Sequence, residues 1–471
     1  MRAIILAELK AAWSSWAAVL LAFVAASFAV LVSLIGVDAV EQTVALGVVD
    51  EEAVMSLRFL PIWNLLLSLL AGLSVIAAVT GLVVQARRGS LARLSLAGAT
   101  PGQVSRILLA QLAVVALLGA FVGAVLALVS VRPILATELR DRAIEPQLAS
   151  DIAAQVHPNV AWAALGAVGF VAWAVLSGMG QSRVAAALSP VEALRTVPGA
   201  TVRRRRIGRW VGAVLLALLV AGLGTAAVLM APELGVDGSS AVLQMSVICM
   251  LLTGSVLSLS APLTVGLLTR VWTALIPSRS APWVLARAGV IAKGERLART
   301  VTPVMFAIGI LVGLGALAAS TNAFLESVGR EGLDQAGVTS LLLLVALVLL
   351  ISTGGGVSVV LMMSRQREGE LALIGVTGGT SAQQVMVVVF EGAIITVTAV
   401  LLGCVMSAVG VGIFAAGLGA LGMAAPVIVP WGVLGAVALV FAVITIASTT
   451  LPVLPSLGRS ARTVVAQLAA E

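Results

Sequence analysis

The chain has 471 residues, 60% of them hydrophobic and only 10% charged, with a mean hydropathy of +1.14. A water-soluble protein of this length needs far more charge to cover its surface, so most of this one must face lipid. The net charge of +7 comes from 28 Lys and Arg against 21 acidic residues; a nucleic-acid binder would share that sign, but membrane topology explains it better.

Ten apolar runs reach the roughly 20 residues that a bilayer-crossing helix needs. They lie at about 17–37, 62–86, 106–131, 160–182, 210–231, 241–269, 302–321, 338–363, 385–410 and 431–454. Helices are the only open-ended way to satisfy the backbone in lipid, so the expected fold is an all-α integral membrane protein of about ten transmembrane helices. The first run is too long for a signal-peptide core and reads as a retained anchor. Cys249 and Cys404 lie inside apolar runs and make no disulfide framework.

Basic residues set the orientation. With the N-terminus in the cytoplasm, the inner segments hold Arg2 and Lys10, four Arg over 87–106, seven over 183–209, six basic residues over 270–299, two over 365–367 and two in the tail. Only Arg58, Arg132, Arg140, Arg142 and Arg330 fall outside, where most of the acids also lie, Asp50, Glu51, Glu52, Glu331 and Asp334 among them. Both termini are then cytoplasmic. Trp13, Trp16, Trp63, Trp162, Trp210, Trp272 and Trp431 sit near span ends, as an interfacial belt would, while Trp173 does not. The abundance of Ala, Val, Leu and Gly suits a bacterial source, hence a bacterial cytoplasmic membrane.

Two inner segments interrupt the apolar pattern in the same way. RRGSLARLSLAGATPGQVSRILLAQ (87–111) and RQREGELALIGVTGGTSAQQVMVVVFE (365–391) align without a gap at an offset of 280. Arg87 meets Arg367, Gly89 meets Gly369, Leu91 meets Leu371, Gly98 meets Gly378, Thr100 meets Thr380 and Gln103 meets Gln383; Gly123 and Gly403 continue the match. A shared offset predicts shared structure. Leu91, Leu94 and Gly98 recur at helical spacing with Arg87, Arg88 and Arg93 off the stripe, which suits a short interfacial helix. Gly98 can end it in a left-handed conformation. Thr100 with Gln103, and Thr380 with Gln383, then read as capping boxes that start the next helix. Each copy is thus expected to be a helix–turn–helix knuckle on the inner side.

These residues resemble the FtsX/MacB-type ABC transporter permease family. Its four-helix modules carry a basic, Glu-containing stretch, a small helix, a Gly-Ala-Thr/Ser-type turn and a long helix with an early Glu. The second copy matches best, including Glu370 and Glu391; the first has Ser90 and Gln111 at those places. SRVAAALSPVEALR (182–195) matches a second hallmark, and GRSARTVVAQLAAE is a degraded version of it. The resemblance implies two parallel four-helix modules, 1–200 and 280–471, joined by a two-helix linker, 201–279. It also implies that the knuckles dock two copies of an ABC ATP-binding subunit. The docking residues would be Arg87, Arg88, Arg93, Gly98 and Thr100 in one copy, and Arg365, Arg367, Glu368, Glu370, Gly378 and Thr380 in the other.

The chain has no G-x-x-x-x-G-K-[ST] phosphate loop, and neither of its two lysines, Lys10 and Lys293, follows such a pattern. ATP and Mg are therefore expected on the partner, with no cofactor, catalytic residue or metal on this chain. The single histidine, His157, lies in an outer loop and reads as an ordinary loop residue. Ion-coupled carriers place ionisable residues deep in the membrane, and these spans are almost uncharged. Glu391 is the exception: it either couples knuckle motion to the bundle or is a snorkelling or locally hydrogen-bonded carboxylate. The run RRRR at 203–206 reads as a topology determinant that meets anionic lipid. Segment 279–299 suits an interfacial elbow helix, and Gly354 to Gly356 either hinge or allow close packing.

The outer segments, about 38–60, 132–159, 232–240, 322–337 and 411–430, are too short for a sizeable domain. This departs from the many family members with a large extracytoplasmic domain. It favours a substrate handled in or beside the bilayer, such as a lipid, amphipathic peptide or drug, with export as the direction the resemblance implies. The alternative is an FtsX-like non-transporting transducer that acts on a cell-wall or sensor partner through segments 38–60 and 132–159.

Overall fold

The structure, a computed structural model, describes residues 13–47, 51–86, 97–141, 146–186, 201–234, 239–278, 280–292, 294–327, 346–358, 371, 374–422 and 427–450. Every regular element among them is helical. These are α1 (Trp13–Ala45), α2 (Glu51–Ala86), α3 (Pro101–Asp141), α4 (Pro146–Gln155), α5 (Val160–Ala186) and α6 (Thr201–Leu234). They continue with α7 (Ser239–Ala274), α8 (Ala281–Ala292), α9 (Glu295–Ser327), α10 (Ala346–Ser358), α11 (Ser381–Ala420) and α12 (Trp431–Thr450). Seven of them, α1, α3, α5, α6, α7, α9 and α11, are long and apolar enough to cross a membrane over their described residues. The other three expected spans fall on α2, α10 and α12. The chain is an all-α, multi-pass membrane protein.

The chain forms two compact units. The first gathers residues 1–197 with 325–355, and the second 198–324 with 356–471. In the first, α1 is the central helix, with 72% of its apolar stretch buried against 17% for α5. Helix α3 crosses it closely at Gly119 and Gly123. A Cβ at Gly119 would stand 2.8 Å from Phe23 Cβ, and one at Gly123 would collide with Ser27 Oγ. The Ser27 hydroxyl donates to Gly119 O at 2.9 Å. In lipid, close approach of small residues and interhelical hydrogen bonds hold helices together. Phe23, Phe170 and Trp173 stack edge to face in series, with centroids 5.9 and 6.1 Å apart. The Trp173 ring meets Gly72 of α2, which explains its place away from a span end. Trp16 is buried in the unit. Helix α10 lies against α1 and α2: a Cβ at Gly354 would stand 2.8 Å from Ala25 Cβ, and one at Gly355 would collide with Val75. These two glycines serve close packing.

Segment 132–159, expected as a connecting loop, is mostly helix over its described residues. Helix α3 runs past the expected span end to Asp141, and α4 folds back beside it. Leu135 and Leu139 are spaced four apart on one face of α3, and Ile152 of α4 is joined by Val156 just beyond the end of that helix. All four join Leu31, Ile35 and Leu57 in one buried cluster. This cap is tied down by Arg132 Nε, which donates to Val156 O at 2.9 Å, and by Arg140, which donates to Ser150 Oγ at 2.7 Å.

In the second unit α9 is the most buried span, at 83% of its apolar stretch. Helix α11 crosses it where a Cβ at Gly403 would stand 3.0 Å from Gly309 N. The Ser407 hydroxyl donates to Gly309 O at 2.9 Å. Helices α6 and α7 pack on each other and on α11. Thr398 Oγ1 of α11 accepts from Trp272 Nε1 at 3.0 Å and lies 3.2 Å from Thr269 Oγ1. Helix α8 is the expected elbow: it buries Pro282, Trp283, Ala286 and Val290 and turns through Gly294, at φ +41°, into α9.

Candidate functional site

The two knuckle turns share their backbone geometry. Gly98 has φ +91° and Gly378 has φ +93°, the left-handed region that glycine adopts at no steric cost. In the second copy Gly379 N–H donates to Ile374 O at 2.9 Å and Gly378 N–H to Gly375 O at 3.1 Å. This is a Schellman closure with Gly378 as the left-handed residue. The next helix then starts with a capping box. Thr380 N–H donates to Gln383 Oε1 at 3.0 Å, and Gln383 N–H to Thr380 Oγ1 at 3.3 Å. Thr100 and Gln103 repeat the exchange at 2.9 and 3.4 Å. Both orphan amides at each helix start are thereby satisfied. Leu371 and Val388 are buried against each other, with Ile374 beside them, which seats the second knuckle on α11. Thr100, Gly98, Thr380 and Gly378 remain exposed. Arg87, Arg88, Arg93, Arg365, Arg367, Glu368 and Glu370 lie outside the described residues.

Glu391 is 4% exposed, so it does not snorkel to water. It lies against the elbow: a Cβ at Gly289 of α8 would stand 3.1 Å from Glu391 Oε1. Next to it the Phe390 and Trp283 rings meet edge to face at 5.6 Å. Arg287 of α8 donates from Nε to Thr273 Oγ1 at 3.0 Å, which ties the elbow to α7. Gln111, at the matching place in the first copy, is fully buried. The same α-helical position thus holds a buried carboxylate in one unit and a buried amide in the other. Gly289, which faces Glu391, and Trp283, which meets Phe390, carry no sequence signal of their own.

The FtsX-like permease C-terminal family matches the chain twice, over residues 64–190 and 342–461, together more than half of its length. The chain belongs to the FtsX-like permease family. Such proteins are membrane permease components of ABC-type systems. No curated protein and no solved structure matches the chain. Each matched segment contains one knuckle turn and the long helix that follows it, so the repeat covers the region that the family defines.

Proposed function

We propose that this chain is the complete transmembrane part of an ABC transporter, driven by two copies of a separate ATP-binding subunit that carry the ATP and Mg. The observation that carries this reading is the pair of exposed, identically capped turns at Thr100 and Thr380, one in each family segment. The modules would be 1–200 and 280–471, with 201–279 between them. The knuckles face the cytoplasm of a bacterial cell, as do both termini, and the basic residues at 87–93 and 365–367 meet the ATPases. ATP binding brings the ATPases together and moves the knuckles. Glu391, wedged on the elbow, passes the movement of α11 to α8 and α9. The substrate is hydrophobic or amphipathic and is exported or extracted from the bilayer.

The test is to purify the tagged chain from its native membrane in mild detergent, alone and as Arg87→Glu/Arg367→Glu. A P-loop ATPase should accompany the intact chain at about two per permease and be lost from the double variant. An intact chain that brings no ATPase sinks the reading.

The folded cap over 132–159 favours a second reading, a transducer whose outer surface contacts a cell-wall or sensor partner. Substituting exposed cap residues such as Leu148 would then abolish the phenotype, and no substrate would change ATPase activity.

A further inference from the structure

A cavity of about 310 Å³ opens inside the first unit, near its capped end. Helices α1, α2, α3 and α10 all contribute to its wall, which is mostly apolar: Val32, Pro61, Leu135 and Leu347 are typical. Leu350 of α10 lines it too and is 40% exposed, so the wall reaches the surface of the unit there. The space has room for about ten water-sized groups, at roughly 30 Å³ each. Waters would each need two to four polar partners, and the wall offers few. An aliphatic chain of about ten carbons needs none and gains by leaving water.

One polar group on that wall stands out. Asn64 is 5% exposed, and its Oδ1 is buried with no hydrogen-bond partner among the described residues. A buried acceptor left unpaired is destabilising. The same amide carries N–H donors, so it offers both halves of a hydrogen-bonding pair. Turning the amide over exchanges its two ends and keeps both on offer. The Ser33 hydroxyl, also on the wall, gives its proton to Ala29 O at 2.8 Å and keeps its lone pairs for a ligand. Glu138 lines the wall as well but is engaged by another group. The polar groups left for a ligand are a neutral amide and a neutral hydroxyl.

We propose that this cavity is a binding site for a neutral, hydroxyl-bearing aliphatic molecule, its hydroxyl paired with the Asn64 amide and its chain held by the aliphatic wall. A hydroxyl is donor and acceptor at once, as the amide is. An ammonium has no acceptor and a carboxylate no donor, and either would bring a charge to be desolvated against apolar side chains. A plain alkane would leave Asn64 Oδ1 orphaned. In the orientation proposed above, the site lies at the outer ends of the spans. There the hydroxyl of a membrane lipid such as a diacylglycerol, or of a free fatty alcohol, enters beside Leu350. This names a substrate class for the transport reading and rests on it.

The probe is decanol carrying a diazirine in its chain, with the matching alkane, amine and carboxylate as controls. It is photolysed with the full chain in phosphatidylcholine nanodiscs, and the labelled peptides are mapped by mass spectrometry. Label in the cavity is read relative to label on the exposed apolar residues Leu117 and Phe121, which corrects for how much of each probe enters the membrane. It is expected over 28–40 and 131–138, with the alcohol ahead of all three controls. Asn64→Leu should lower the alcohol by roughly fivefold, the scale of one neutral hydrogen bond, and leave the alkane where it was. Leu135→Trp, which fills the space, should remove the label while the protein still elutes as a single species. Diacylglycerol added to the discs separates the sources: competition identifies a lipid hydroxyl, and its absence a free alcohol. An alkane, amine or carboxylate that labels the cavity as strongly as the alcohol overturns the proposal. So does alcohol label that is unchanged in Asn64→Leu or no denser in the cavity than at Leu117 and Phe121. An ATPase that co-purifies with an unlabelled cavity sinks this site and keeps the transport reading; a labelled cavity without an ATPase does the reverse.

Discussion

The side-chain amide of Gln42, near the end of α1, exchanges two hydrogen bonds with the backbone of His157, 115 residues away. Its Nε2 donates to His157 O, and its Oε1 accepts from His157 N–H, both at 3.0 Å. The only histidine in the chain thus matters through its backbone, and one glutamine holds the segment between α4 and α5 to the first helix. Replacing Gln42 with Ala should cost about 1–2 kcal/mol locally. Amides of α4 should exchange faster with solvent, and those of α9 should not, when hydrogen exchange is followed peptide by peptide.

The crossing of α9 and α11 leaves no room for a side chain at Gly403. Its neighbours there are the backbone of Gly309 and Met305, which cannot swing aside. Gly403→Ala should therefore destabilise the protein by about 1–3 kcal/mol. Gly412→Ala, on the same helix with open space around it, should have no such effect. Thermal unfolding in detergent, read by tryptophan fluorescence, compares the two.

Capping is the local chemistry that shapes both knuckles. Thr380→Ala removes one half of its box and should cost about 1 kcal/mol. Gly378→Ala places a Cβ at φ +93°, also at about 1 kcal/mol. Each should lower the amount of ATPase recovered with the chain, and Thr100→Ala/Thr380→Ala should lower it further than either alone. Immunoblots of the purified complex measure the ratio.

Glu391→Gln keeps the shape of the residue and replaces its carboxyl group by an amide. Gly289→Val drives a side chain toward the carboxylate, only 3.1 Å from the added Cβ. Both variants should retain their ATPase while substrate no longer stimulates hydrolysis, if Glu391 carries motion to the elbow. Stimulation equal to wild type in both variants would remove that role.

Much of this was legible beforehand because it is local. Apolar runs of span length, a Thr-x-x-Gln pair and a glycine just before it are decided within a few residues, and the structure shows them at 100–103 and 380–383. The matched Gly123 and Gly403 are both helix-crossing points. What was hidden depends on tertiary contact. Segment 132–159 carries Arg132, Pro133, Glu138 and Arg140, so a search for apolar runs stops at 131, although Leu135 and Leu139 already have helical spacing. Nothing in the sequence of α10 says that Gly354 and Gly355 pack on α1 and α2, because a stripe of glycine names a close neighbour without naming which one.

The two tight crossings also carry a record of how the duplicated halves diverged. In one the hydroxyl belongs to the first helix of its module, Ser27 giving to Gly119; in the other it belongs to the third, Ser407 giving to Gly309. Exchanging α3 and α11 would bring both serines to one crossing and leave the other with neither. The halves have become unlike parts of one machine, and a chimera made by trading a single helix would fail at two joints at once.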